Sequence, residues 1–130
     1  MNPFIFREYD IRGVVEKDFT DDVVIDLGKG FGTWLIRQGA KRMIISGDVR
    51  DTTPHLKKMF TQGARSTGID VIDIGIVPTP LNYYSQFIIK SDAAVQITGS
   101  HSPPEFNGFK LSYDRQAFFG QQIQDVKDLI

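Results

Sequence analysis

The chain has 130 residues, 41% hydrophobic and 24% charged, with 15 Lys plus Arg against 16 Asp plus Glu and a net charge of -1. That fits one soluble globular domain with a real core, and the near-neutral balance argues against nucleic acid as the main partner. The absence of cysteine excludes disulfides and thiolate metal sites; no apolar run is long enough to span a bilayer, and the early charges of MNPFIFREYDIRG leave no signal-peptide core, so a cytoplasmic protein is expected.

Helix and strand signals alternate along the chain. A first helix is predicted to open near Thr20-Asp21-Asp22, where acidic residues suit the N-terminal dipole. Val24, Leu27, Phe31 and Trp34 form its apolar stripe, Gly28, Gly30 and Gly32 suggest close packing, and Gly39 is placed at the C-terminal end. A strand follows at Met43–Ser46, then the loop Gly47–Thr52. Thr53-Pro54 reads as a cap followed by proline at the first helical position, with Leu56, Phe60 and Ala64 as the buried stripe and Gly68 as the stop.

The second strand is predicted at Val71–Ile74. Val77-Pro78-Thr79-Pro80 repeats the cap-and-proline device and opens a third helix with Leu81, Tyr84 and Ile88 as its apolar positions. Ala93–Ile97 is the third strand, and Phe109–Tyr113 the fourth, following a loop in place of a helix and therefore antiparallel at an edge. QQIQDVKDLI reads as an amphipathic helix with Ile123, Val126 and Ile130 on one face and no cap signal, which suggests a truncation. The expected fold is a single α/β domain, layered α/β/α, with a mostly parallel, mixed four-stranded sheet. In such a sheet ligands sit at the carboxyl ends of the strands. The loops Gly47–Thr52 and Thr98–Gly108 should share that edge.

The second of these loops, Thr98-Gly99-Ser100-His101-Ser102-Pro103-Pro104-Glu105-Phe106-Asn107-Gly108-Phe109-Lys110, concentrates the reactive groups. Pro103 and Pro104 stiffen it. Ser100 is therefore held on a rigid turn, with Gly99 leaving space and His101 and Lys110 as nearby donors. On composition alone this is a common Gly/Ser/Pro turn. A hydrolase triad is disfavoured: only His55 and His101 exist, and no G-x-S-x-G elbow is present. Phosphoryl transfer asks less of a serine, because positioning and charge neutralisation dominate. Arg12, Arg50, His101 and Lys110 are the candidate partners of a phosphoserine.

Three further fragments accompany that loop in order: Phe6-Arg7-Glu8-Tyr9-Asp10-Ile11-Arg12-Gly13, Gly47-Asp48-Val49-Arg50-Asp51-Thr52, and Gly75-Ile76-Val77-Pro78-Thr79-Pro80 with Tyr83-Tyr84. Together they resemble the α-D-phosphohexomutase family, whose serine loop typically reads T-[AG]-S-H-N-P-x-x-[YF]-N-G-x-K, against TGSHSPPEFNGFK here. Ser102 stands where the family usually has Asn. The resemblance implies that residues 1–130 correspond to the first of four family domains, the one bearing the phosphoserine loop, with the others absent. It implies that Ser100 carries the phosphoryl group, that Lys110 serves as general acid/base or stabilises charge, and that His101 assists. Arg12, Tyr9 and Arg50 would bind phosphoryl oxygens of a hexose phosphate. It also implies a hexose 1,6-bisphosphate intermediate, and Mg²⁺ with a phosphate oxygen on Ser100 as this chain's one ligand. The remaining partners would be the other domains of the parent enzyme, with no membrane and no nucleic acid. The competing reading is a free-standing, non-catalytic phosphate-binding or regulatory domain that self-associates. A nucleotide-binding domain is disfavoured, since neither G-x-G-x-x-G after the first strand nor a P-loop is present.

Overall fold

A computed structural model describes residues 1–130. Strand β1 (Ile11–Val14) leads through the single turn α1 (Val15–Asp18) into the long helix α2 (Asp21–Arg37). Then come β2 (Arg42–Gly47), α3 (Thr53–Ser66), β3 (Asp70–Ile76), α4 (Thr79–Ile88), β4 (Ala93–Ile97), β5 (Phe106–Tyr113), β6 (Gln116–Ala117) and α5 (Gln121–Lys127). No helix is long and apolar enough to cross a membrane.

The sheet runs β1-β5-β4-β2-β3, with β6 added to β5, making six strands where the sequence predicts four. β3, β2 and β4 are parallel, while β5 is antiparallel to both β4 and β1. The expected antiparallel strand is therefore present but lies inside the sheet, because β1 covers its free side. β1 escapes a local reading because it is only four residues long, contains Arg12 and Gly13, and pairs with a segment distant in sequence. β6 escapes because its turn lacks glycine: Asp114 and Arg115 adopt φ of 51° and 61°, and Tyr113 pairs with Gln116 across them.

Residues on alternate sides of each strand face different layers. Met43, Ile45, Val95, Ile97, Phe109 and Leu111 join Leu27, Phe31, Leu56 and Phe60 in the core between the sheet and α2/α3. Phe60 stacks on Phe109 at 5.2 Å, and Phe19 meets the same ring edge-on at 5.4 Å. Burying each such ring is worth about 1.5–3 kcal/mol. α2 and α3 approach so closely that a Cβ on Gly28 would meet the Phe60 carbonyl, and one on Gly63 the Ile25 carbonyl.

The layer under α4 reverses the sequence-based reading. Leu81, Tyr84 and Ile88 are exposed, whereas Asn82, Ser85 and Gln86 are buried. The sheet surface beneath α4 presents Ser46 and Gln96, both fully buried, so the helix must turn polar side chains inward to satisfy them. Ser46 hydrogen-bonds Gln96, Asn82 Nδ2 donates to Ser46 Oγ at 2.7 Å and to the Val95 carbonyl at 3.1 Å, and Gln96 Nε2 donates to the Val77 carbonyl at 2.8 Å. The helix starts also shift by one residue: Thr52, not Thr53, caps α3, and Pro78 occupies the cap of α4.

Candidate active site

The chain proceeds from β2 outward to β3 and then returns to place β4 on the other side of β2. Between β2 and β4 the direction of winding reverses, and the loops leaving those two strands diverge around a crevice. They are the two loops singled out by their composition, and the structure brings them together. Asp48 accepts the Gly99 N–H at 3.0 Å, and the Asp48 N–H donates to the Ile97 carbonyl at 2.9 Å.

Ser100 is half-buried on the β4–β5 loop with φ of 52°, a left-handed backbone in a residue that has a Cβ. Its N–H donates to Thr98 Oγ1 at 2.9 Å, and the Ser102 N–H closes the turn on the Gly99 carbonyl at 3.0 Å. The base of the loop is fixed by Asn107, whose Nδ2 donates to Thr52 Oγ1 at 2.9 Å and Thr53 Oγ1 at 3.1 Å.

Arg12 lies opposite Gly108 in the β1–β5 register, and Lys110 follows two residues on, so both side chains project from the same face of the sheet. Arg12 Nη1 donates to Ser102 Oγ at 3.0 Å, and Nη2 pairs with Asp10 Oδ2 at 2.5 Å. Lys110 Nζ stands 3.9 Å from the same carboxylate oxygen. Arg12 Nε is buried without a partner. One carboxylate between two cations leaves this cluster net positive beside the serine loop, as an anionic ligand requires.

The other expected residues are placed differently. His101 follows Ser100 on the loop and is exposed. Tyr9 is 72% exposed, its ring leaning on Phe119 at 6.2 Å between centroids. Arg50 reaches beneath the serine loop: Nη1 donates to the carbonyls of Pro103 at 2.6 Å and Phe106 at 2.8 Å, and Nη2 to those of Ser102 at 2.5 Å and Ser100 at 3.3 Å.

Asp48 is the residue that composition alone does not single out for this site. Burial would raise the Asp48 pKa, but hydrogen bonds from the Thr53 hydroxyl and the Arg50 and Gly99 N–H groups outweigh it and hold the carboxyl below its usual range. The turn-forming order Asp-Val-Arg after a strand was the available signal. Tyr83, on α4, is 43% exposed; partial desolvation, reinforced by the charge of Asp10, pushes its phenol up. A cavity of about 490 Å³ on the outer side of α3, bordered by Lys57, Lys58 and Arg65, touches none of these residues.

The family model for phosphoglucomutase/phosphomannomutase, alpha/beta/alpha domain I, matches residues 3–129. The chain belongs to this family. It is 36% identical over 126 residues to a phosphomannomutase/phosphoglucomutase of Pseudomonas aeruginosa, covering 97% of this chain. A phosphoglucomutase of Neisseria meningitidis is 35% identical over the same span, and a probable phosphoglucosamine mutase of Thermococcus gammatolerans is 41% identical over 101 residues, 78% of this chain and 22% of its own length. The chain spans about 27% of the length of the first two relatives. A phosphoglucomutase/phosphomannomutase family protein from Burkholderia thailandensis superposes with a TM-score of 0.95 at 35% identity, over 98% of this chain and 30% of that one.

Phosphohexomutase chemistry suggests Mg²⁺, and the side chains of this domain I do not by themselves form a cage for it. No group of three or more His, Asp or Glu side chains converges. Asp48, a carboxylate bonded to the serine loop, already accepts from Gly99, Arg50 and Thr53.

Proposed function

We propose that this chain is the serine-bearing domain of a hexose-phosphate mutase of the phosphomannomutase/phosphoglucomutase type. The observation that carries the reading is Ser100 itself: a left-handed serine on a braced loop at the reversal of winding, next to a net positive cluster.

In this reading Ser100 Oγ carries the phosphoryl group. The free hydroxyl of a hexose monophosphate attacks the phosphorus. A phosphorus–oxygen bond to the sugar forms as the bond to Oγ breaks; the sugar hydroxyl loses a proton and Oγ gains one. The resulting 1,6-bisphosphate turns over and returns its other phosphoryl group to Oγ by the reverse steps. Arg12 offers a planar fork to the phosphoryl oxygens, with the Tyr9 hydroxyl as a further donor. Lys110 and His101 are the chain's groups for proton transfer, and Lys110 also neutralises developing charge. For Mg²⁺, a phosphate oxygen on Ser100 is the ligand this chain would supply, with the rest coming from outside these residues. Substrate closure and sugar selection likewise belong to further domains of a parent enzyme, in the cytoplasm.

A second reading, a non-catalytic phosphate-binding or regulatory domain that self-associates, draws support from the outward apolar side of α4, where Phe87 is 63% and Ile88 66% exposed.

The deciding experiment follows hexose 1- and 6-phosphate interconversion by phosphorus NMR, with Mg²⁺ and a trace of bisphosphate, in the longest form of the polypeptide and its Ser100→Ala variant. Activity abolished by the substitution is expected. Activity that survives it removes Ser100 from the mechanism, and no activity in either leaves the self-associating domain as the better account. The 130-residue chain alone is expected to give no sustained turnover.

A further inference from the structure

We infer that Arg50 is a positioning residue: its guanidinium is the internal brace that sets the conformation of the Ser100 loop, and Asp48 completes the brace. The inference builds on the assignment of phosphoryl transfer to Ser100. It replaces the expectation that Arg50 grips a phosphoryl group.

Donor accounting carries the argument. A guanidinium has five N–H donors in one plane. Four of those of Arg50 meet loop carbonyls, on Ser100, Ser102, Pro103 and Phe106. Nε faces Asp48 Oδ2 at 3.6 Å. That contact is an ion pair longer than a hydrogen bond, and none of the four terminal N–H donors is left to point at a ligand oxygen. Arg12 differs, because its Nε is buried and unpartnered while its two terminal nitrogens reach only side-chain oxygens.

Two further features agree. Gly99 carries no side chain where the guanidinium passes, and a Cβ there would collide with the Arg50 Cζ, Nε and Nη1. Ser100 has φ of 52°, a conformation that persists in a residue with a Cβ only when its surroundings enforce it. Arg50 holds the Ser100 carbonyl directly and Asp48 holds the N–H of the residue before it. The brace thus grips both sides of the serine. Asp48 also accepts the backbone N–H of Arg50 at 3.0 Å, so the two members orient each other.

Lysine cannot do this work. An ammonium donates from one point, whereas these carbonyls are arrayed around a plane. Arg50→Lys should therefore behave as a loss of the brace despite keeping the charge. In the full-length enzyme it is expected to lower kcat about 100-fold, the order of loss caused by a small displacement of a reacting group. KM for the hexose phosphate should change by less than about threefold, because no substrate contact is removed. In the 130-residue chain, hydrogen exchange at the amides of Gly99, Ser102 and Phe106 should accelerate by at least about tenfold relative to the core amides of β4. Gly99→Ala, which displaces the guanidinium without removing it, should give the same two signatures, and the double substitution with Arg50→Ala should add little further.

The inference is overturned if Arg50→Lys raises KM about tenfold with kcat intact, which marks a ligand contact, or if the loop amides exchange at wild-type rates. The exchange readout does not depend on catalysis. It separates failure of the brace from failure of the mutase reading, which is judged by Ser100→Ala alone.

Discussion

The Asp10 carboxylate sits 2.5 Å from the Arg12 guanidinium, tying the loop before β1 to the cation that reaches the serine loop. Lys110, at 3.9 Å, shares the same oxygen. Asp10 thus holds two like charges together on one side of the sheet.

Replacing Asp10 by Asn should disturb both cations. The pair is largely shielded, with side-chain exposures of 19% and 10%, so removing its negative member should destabilise the chain by about 1–3 kcal/mol. Urea unfolding reads the stability. In the longest form of the polypeptide, the proposed mutase activity should fall by about tenfold or more through loss of Arg12 and Lys110 placement.

The pH dependence follows from Asp18 and Asp48. The Asp18 carboxyl is held low by the Asn2 side-chain hydrogen bond against the opposing cost of burial, with the Val14 N–H and the charges of Lys17 and Arg7 adding to the effect. The Asp48 carboxyl is low because its hydrogen bonds outweigh desolvation. A depressed folded-state pKa means the unfolded chain binds the proton more readily, so these contributions are complete above the ordinary carboxylate value of about 4 and are lost as pH falls below it. Thermal melts should be flat with respect to these groups from pH 7 to about 5 and drop below about 4. Asp18→Asn and Asp48→Asn should each lower stability at neutral pH and flatten the acid slope. An unchanged slope in both variants would assign the acid transition to other carboxylates.

At the α2–α3 contact, Gly63→Ala should cost about 3 kcal/mol in chemical denaturation. The obstructing atoms are the Ile25 carbonyl carbon and oxygen, which are backbone and cannot rotate away.

Beneath α4, Asn82→Ala should destabilise by about 1–3 kcal/mol, because it removes the buried amide that donates to Ser46 Oγ and the Val95 carbonyl. Ile88→Ala on the outer side, where the residue is 66% exposed, should change stability by no more than about 0.5 kcal/mol. Paired denaturation curves decide between the inverted helix and the one its periodicity suggests, which predicts the opposite order.

These pairs also show how far the sequence could be read. Alternation of strands with proline-opened helices was sufficient for the layers, since Pro54 and Pro80 each lie in the first turn of a helix. Convergence of the Gly47–Thr52 and Thr98–Gly108 loops followed from parallel pairing. The sides of α4 did not, because the apolar-inward rule assumes an apolar sheet surface, and Ser46 and Gln96 make this one polar. β1 needed a partner about ninety-five residues away, a pairing no local period encodes. Residue type identified Arg12 and Arg50 equally well; only the geometry separates an arginine with a buried, unmatched nitrogen from one whose four terminal donors are taken.

Strand β5 faces two ways at once. Phe109 and Leu111 fill the core, while Gly108 and Lys110 serve the opposite side. Point substitutions at Lys110 can therefore remodel the chemistry of one side while leaving the packing of the other untouched, whereas a side chain at Gly108 would meet the Ile11 carbonyl. A single-residue insertion or deletion between Phe106 and Tyr113 has no such freedom, because it would trade the two sets wholesale. Evolutionary drift in this strand should proceed by exchange of residue types at fixed length, with changes in length confined to the turns at its ends.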